Sequence, residues 1–437
     1  MSFKELKLSS EILKSLEEKG YEEASPIQKK AIPLILAGHD LLAGAQTGTG
    51  KTAAFSLPIL DKMNASKVTG EKRKIKTLIL TPTRELAVQV AENVKDYGIN
   101  LHFKTETIFG GANINVQKSK LRRGIDIVVA TPGRLLDHLQ QQTINLKNVE
   151  TFVLDEADRM LDMGFIKDIE KIINHLPKEK QTLLFSATFP KEIKSLASNL
   201  LQNPKEVQIA ERNAVADKVT QCVYPVDKER KAALLGHSIK EENWYQVLVF
   251  TRTKRGADKL TKVLNKHDIK ADAFHGNKSQ AARTKALENF KAEKTQVLVA
   301  TDIAARGIDI SLLPQVVNYD LPYLPEDYIH RIGRTARAGQ EGRAISLVSA
   351  DEVKMLHAIE KLLKFSLPRN IIEGFEPTQE LKLAPSKPKS NRRKRVNKNK
   401  SFNSKRKNNW KQGNSNQKGQ SNTRRKNKDS SKKNKNF

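Results

Sequence analysis

A single cysteine, Cys222, stands among 437 residues, so no disulfide can form within the chain. Such usage fits a reducing compartment. Long apolar runs are missing as well. Nowhere do about 18 apolar residues follow one another, the length a helix needs to cross a membrane. The opening MSFKELKLSSEILKSLEEKGY is charged and amphipathic, and it lacks the apolar centre of a signal peptide. These absences make a soluble, cytoplasmic protein the expectation. Acids are scarce in one place above all. From Ser386 to Phe437 there is one, Asp429, against 20 lysines and arginines, so this stretch carries +19 of the formal +29. The first 385 residues carry only +10 and are long enough for two domains, each with its own core.

What is present is a repeated alternation. The apolar runs KTLILTP, DIVVATP, TFVLDEAD and TLLFSAT come first, followed by QVLVFTRT, ADAFHG, QVLVATD, QVVNYDLP and RAISLVS. Near-continuous Val/Ile/Leu strands separated by helical stretches predict parallel sheets covered on both faces, an α/β fold. Nearly every run ends in Thr, Asp, Gly, Arg or Ser, and ligands of open α/β sheets bind outside the carboxyl ends of the strands. A polar, patternless connection at 208–217 divides the strands into two groups. The expected domains are therefore 1–207 and 218–375. The basic segment 376–437 has too few apolar residues to offset the entropy of ordering and reads as a disordered tail.

One strand-end cluster suits a nucleotide. The loop Ala45, Gln46, Thr47, Gly48, Thr49, Gly50 leads through Lys51 and Thr52 into an apolar helical stretch. Backbone amides of such a loop point at phosphates, the lysine reaches the outer phosphates, and Thr52 offers a hydroxyl to Mg²⁺. Asp155 and Glu156 close the run TFVLDEAD. There Asp155 would hold the metal through water, and Glu156 would orient and deprotonate the attacking water. Upstream, Tyr21 could stack on a base, and the Gln28 amide could donate to and accept from the adenine edge.

The remaining clusters suit a sugar-phosphate backbone. They comprise Thr83 and Arg84, Gly110 and Gly111, and Thr131 with Gly133 and Arg134. Farther along come Arg252 and Thr253, His275 and Gly276, and Thr301. Hydroxyls, glycine amides and guanidiniums position a backbone without reading base identity. YIHRIGRTARAGQEGR raises a further question, because Arg331, Arg334 and Arg337 recur at steps of three with no acid among them. A strongly anionic ligand is the expected reason.

Taken together, DEAD at 155–158, PTREL, TPGR, SAT, ARGID and HRIGRTAR resemble, in order and rough spacing, the DEAD-box RNA helicases of superfamily 2. The resemblance covers residues 3 to about 375. It implies two tandem RecA-like domains, ATP and Mg²⁺ as cofactors, and structured RNA as partner. Gln28 and Tyr21 would recognise adenine, Asp309 the ribose, and Asp158, Ser186 and Thr188 would couple the nucleotide site to the RNA grip. Arg334 and Arg337 would act as arginine fingers once the domains close, while His330 and Arg331 would bridge to the carboxylate motif of the first domain.

The resulting expectation is an RNA-dependent ATPase that bends one strand on closure and so separates short duplexes locally, with little sequence preference. Ribosomal or messenger RNA would be its substrate, with proteins of ribosome assembly or RNA decay as partners, or a role in cold adaptation. The tail, with Phe402, Trp410 and Phe437 among its cations, would tether the core to RNA. A DNA-directed motor, an annealing chaperone and an ATP-dependent RNA clamp stand as other readings.

Overall fold

The computed structural model describes residues 2–45, 48–66, 73–209, 219–305, 310, 313–335 and 342–381. Its framework is two sheets in which every pairing is parallel. The first holds seven strands: β1 (Leu41–Gly44), β2 (Thr77–Leu80), β3 (Thr105–Ile108), β4 (Ile127–Ala130), β5 (Thr151–Leu154), β6 (Gln181–Ser186) and β7 (Lys205–Gln208). They lie in the order β3-β4-β2-β5-β6-β1-β7. Six strands form the second: β8 (Val219–Pro225), β9 (Val247–Thr251), β10 (Ala271–Phe274), β11 (Val297–Thr301), β12 (Gln315–Asn318) and β13 (Gly342–Val348). Their order is β10-β11-β9-β12-β13-β8.

The unbroken apolar strands follow from helices on both faces. Successive side chains of a strand point to opposite sides. Along β4, Ile127 and Val129 enter one core, while Val128 and Ala130 enter another. In β9, Val247 and Val249 pack on one face and Leu248 and Phe250 on the other. In these two central strands no position faces water, so no polar alternation is tolerated there. Among the described residues, none of the five apolar clusters draws residues from both sheets' surroundings. Each domain is therefore built around its own cores. No helix among the described residues is long and apolar enough to cross a membrane.

Gln208 still pairs with Gly44 in β7, and residues 210–218, most of the expected linker, lie outside the described residues. At the other end, residues 376–381 dock on the second domain although they were expected to begin the tail. The Thr378 amide and hydroxyl each donate to the Asp227 carboxylate at 3.0 Å, and Leu381 packs against an apolar cluster. The remaining tail, 382–437, lies outside the described residues.

Asp40 ties the first sheet together. Its buried carboxylate accepts from the Thr182 amide at 2.8 Å and the Gln202 amide at 2.7 Å. Removing it strands both donors, and hydrogen bonds to a charged group are worth about 1.5–3 kcal/mol each. Asp40→Ala should lower the urea midpoint of the first domain by the equivalent of about 3 kcal/mol, with the slope of the transition unchanged.

Candidate active site

Sheet order sorts the two sets of strand-end residues, which the chain order interleaves. In the first sheet Thr83 follows β2, Gly110 and Gly111 follow β3, and Thr131 follows β4, and these three strands are neighbours. The phosphate loop follows β1, Asp155 follows β5, and Ser186 ends β6, and these too are neighbours. One half of the carboxyl edge thus carries the residues expected to hold a sugar-phosphate backbone, and the other half those expected to hold a nucleotide.

A cavity of about 460 Å³ opens over the second half. Phe3, Tyr21, Gln28, Gly48 to Thr52, Asp155 and Glu156 line it from the first domain, and Arg334 lines it from the second. Gly50 opens the helix Lys51–Ala65 with φ +89°. That backbone favours glycine, and a Cβ there would stand 2.4 Å from Gln28 Nε2 and push the amide aside. Gln28 itself is tied down. Its Oε1 accepts from the Ser25 amide at 2.8 Å, closing a capping box, and its Nε2 donates to the Gly50 carbonyl at 3.1 Å. The residue expected to read adenine is thus bonded directly to the phosphate loop.

The floor of the cavity concentrates unmet charge. Lys51 Nζ and Asp155 Oδ1 are buried and have no hydrogen-bond partner. Burial pushes the Asp155 carboxyl up to about 6; Lys51 pulls it down, and Glu156 and Asp158 push it further up. Glu156 sits in the left-handed region at φ +56°, a strained backbone for a residue with a side chain. Asp158 is hydrogen-bonded to both Ser186 and Thr188. Its Oδ2 accepts from the Thr188 amide at 2.8 Å and hydroxyl at 3.0 Å, and its own amide donates to Ser186 Oγ at 3.2 Å. Ser186 Oγ in turn donates to the Thr188 carbonyl at 2.7 Å.

His330 approaches this cluster from the second domain. Burial pushes its ring below the ordinary histidine value, with Arg334, Arg159 and Lys51 acting in the same direction and Asp158 opposing them. Arg331 corrects the sequence expectation. It does not bridge to the carboxylate motif but is 1 % exposed within its own domain. There it is held by Asp302 at 2.6 and 2.7 Å, Asn318 Oδ1 at 3.0 Å and the Asp320 carbonyl at 2.6 Å, over the Phe250 ring. The acid that the local sequence lacks arrives from 29 residues upstream. Of the two described arginines of the triplet, Arg334 lines the cavity. Gln46, Thr47, Asp309 and Arg337 lie outside the described residues.

On the other half of the edge, Thr83 accepts from the Leu86 amide at 3.3 Å and caps the helix Arg84–Tyr97. Arg84 lies across the Gly110–Gly111 turn, where a Cβ on Gly111 would stand 2.2 Å from its Nη1. Arg134 is anchored by the Ala112 carbonyl at 2.9 Å and Gln117 Oε1 at 3.2 Å, and nothing stands within 4 Å of a Cβ at Gly133. Thr131 is buried at the head of its helix. In the second sheet Gly276, Thr301 and Arg252 end the adjacent strands β10, β11 and β9, and Thr253 caps the following helix. His275, expected at the RNA edge, is 1 % exposed with Nε2 3.0 Å from Asp258 Oδ1.

Sequence reasoning missed the contact that crosses the domains. Arg283 Nη2 lies 2.8 Å from Glu85 Oε2, each side chain 7 % exposed, and Gln280 Nε2 donates to Glu85 Oε1 at 3.1 Å. Arg283 also stacks on Phe274, with its guanidinium carbon 4.9 Å from the ring centroid. Glu85 adjoins Arg84 inside PTREL, so this latch is seated beside the strand-end residues that follow β2. The only sequence signal was an acid within a motif otherwise made of donors.

The DEAD/DEAH box helicase family model matches residues 25–196, and the helicase conserved C-terminal domain model matches 230–339. The chain is 44% identical over 385 residues to the DEAD-box ATP-dependent RNA helicase CshA of Bacillus licheniformis, covering 87% of this chain and 78% of that protein. CshA of Bacillus subtilis is 43% identical over 385 residues, covering 87% and 77%. Among solved structures, S. cerevisiae Dbp5 bound to RNA and ADP BeF3 is similar at TM-score 0.74 and 32% identity, covering 85% of this chain and 95% of that one. The DEAD-box helicase Mss116 bound to ssRNA and UDP-BeF gives 0.76 and 31%, covering 85% and 79%.

Two outcomes follow from this geometry. Arg283→Glu should cost the closed arrangement about 3–5 kcal/mol, because it leaves Glu85 facing a like charge. With a saturating ATP analogue and single-stranded RNA, small-angle scattering should show an expanded particle, and adding Glu85→Arg should restore most of the compaction. An unchanged radius in the single variant refutes the latch. Secondly, the raised Asp155 carboxyl makes the folded state bind more protons than the unfolded chain between about pH 4 and 6. Above pH 6 its buried charge is therefore a full penalty, of order 3 kcal/mol. In metal-free buffer, Asp155→Asn should raise the melting temperature by several degrees at pH 7.5, with the gain shrinking as pH falls from 6 toward 4.

Proposed function

The chain belongs to the DEAD-box ATP-dependent RNA helicases, and from that membership we propose how its own residues divide the work. Arg334 lines the same cavity as Lys51, Asp155 and Glu156 although the two sets stand on different domains. This observation carries the reading. ATP enters with its base at Phe3, Tyr21 and Gln28 and its phosphates over Gly48 to Thr52, where the unpartnered Lys51 ammonium awaits an anion.

Asp155 and Thr52 fit Mg²⁺. The carboxylate oxygen is buried without a partner, and no group of three or more metal-ligating side chains exists among the described residues, so phosphates and water would complete the shell. When bound, the ion neutralises charge that builds on the phosphates. Glu156 accepts a proton from the attacking water at its carboxylate, and its strained backbone aims that carboxylate into the cavity. Arg334 meets the outer phosphate only while the domains are together, and Arg337 takes the second finger position. His330 joins Asp158, so the coupling cluster with Ser186 and Thr188 registers whether the second domain is in place.

RNA lies along the other half of the edge. Arg84, Gly111, Thr131, Gly133 and Arg134 hold its backbone on the first domain, and Gly276, Thr301 and Arg252 flank it on the second. Contacts to backbone alone give little sequence preference, and 2′-hydroxyls distinguish RNA from DNA. The latch from Glu85 to Arg283 links occupancy of this edge to closure. Structured ribosomal or messenger RNA in the cytoplasm is the substrate class that such a grip suits, and the basic tail would tether the core to it.

ATP hydrolysis should be slow without nucleic acid, strongly stimulated by structured RNA, and little stimulated by DNA of equal length. Arg334→Ala should lose 10³-fold or more of the RNA-stimulated rate while ATP still binds. A rate indifferent to RNA would uncouple the two sites and overturn the proposed division of labour.

A further inference from the structure

Three of the first four strands of the second sheet, β10-β11-β9-β12, end in residues assigned above to RNA, and the fourth is unassigned. Its loop carries Tyr323, at 73 % exposure the most exposed large apolar side chain among the described residues, followed by Leu324 at 53 %. Adjacent strands lie about 4.8 Å apart, so this loop is one step beyond Arg252 along the same edge.

Arg252 and Tyr323 form one object. The guanidinium carbon stands 5.4 Å from the ring centroid. Arg252 is fixed from behind, with Nη2 3.0 Å from Glu352 Oε1 and 3.6 Å from Asp320 Oδ1, and its amide donates to Asp320 Oδ2 at 2.9 Å. Glu352 is 1 % exposed and also accepts from Lys231 and from the Leu321 amide, inside the loop that leads to Tyr323. Two cations and two carboxylates balance there, so Arg252 brings little net charge to a phosphate. What the network supplies is rigidity. It anchors the root of the Tyr323 loop and fixes a cation by the ring, yet leaves most of the ring in water, where an aromatic gains nothing by itself.

We propose that Tyr323, braced by Arg252 and Glu352, is a stacking platform for an unpaired base of the bound RNA, the next contact along the edge after the backbone grip. The inference rests on the RNA path assigned above. A flat base matches the flat, preorganised ring, and stacking of this kind tolerates any sequence.

The test is RNA affinity of the full-length protein, measured by fluorescence anisotropy with a labelled single-stranded RNA and a non-hydrolysable ATP analogue. Tyr323→Ala should weaken binding by about 5- to 100-fold, and Tyr323→Trp should retain it. The salt dependence should not change, because stacking releases no counterions. Basal ATP hydrolysis without RNA should stay at the wild-type rate, and 5-bromouridine RNA should photocrosslink to Tyr323. Thr301→Val and Arg84→Ala serve as controls on the path. Should they weaken binding while Tyr323→Ala does not, the platform is refuted and the exposed ring belongs to a protein partner. If none of the three weakens binding, the path itself is wrong and the platform falls with it.

Discussion

The two halves of this molecule meet across a buried ion pair. Glu85 and Arg283 lose water together, and neither can be left alone in that setting. Such a pair adds little net stability against water, since the desolvation of two charges offsets much of their attraction. Its effect is on register. A charge with one acceptable position aligns the second domain on the first, and the alignment carries Arg334 to the cavity and His330 to Asp158. An apolar contact of the same area would hold the halves with less regard to where they met.

The cavity depends on that alignment because its own domain leaves it electrically unfinished. Lys51 and Asp155 are buried without partners, and the Asp155 carboxyl titrates near 6 because desolvation outweighs the lysine beside it. Burying these groups is costly. On the proposed reading a polyanion with its cation would relieve that cost, so that ligand binding and stabilisation of the first domain would be the same event. Arg331 behaves in the opposite way. With Asp302, Asn318 and the Asp320 carbonyl around it, its charge is satisfied permanently and it serves as a girder.

That contrast marks how far the sequence could be read. Two-faced burial forces unbroken apolar strands, and the strand-end residues announce themselves because chemistry restricts what stands there. Both the parallel α/β architecture and the phosphate loop were therefore legible. Arg331 and Arg334 looked alike because their spacing is regular and neither has a local acid. Their difference lies in Asp302, which the fold supplies from another strand end. His275 looked like a ligand for the same reason, until Asp258 on a neighbouring helix is seen to face it. Arg283 and Gln280 carried no signal at all. A helix with alternating charge reads as a solvated surface, and nothing local says that a second domain will cover it. Side-chain partners separated by nearly 200 residues are set by how sheets stack, which periodicity does not encode.

Among the described residues, the apolar clusters stop at the boundary between the domains. The working site is thus an association of two finished bodies on one chain, and it obeys the kinetics of association. Strong cohesion would trap spent nucleotide inside; weak cohesion would let the halves part before chemistry occurs. Among the described residues, the Glu85–Arg283 pair is a contact of the kind that falls between those limits. On the proposed mechanism, its lifetime would set the clock of the catalytic cycle.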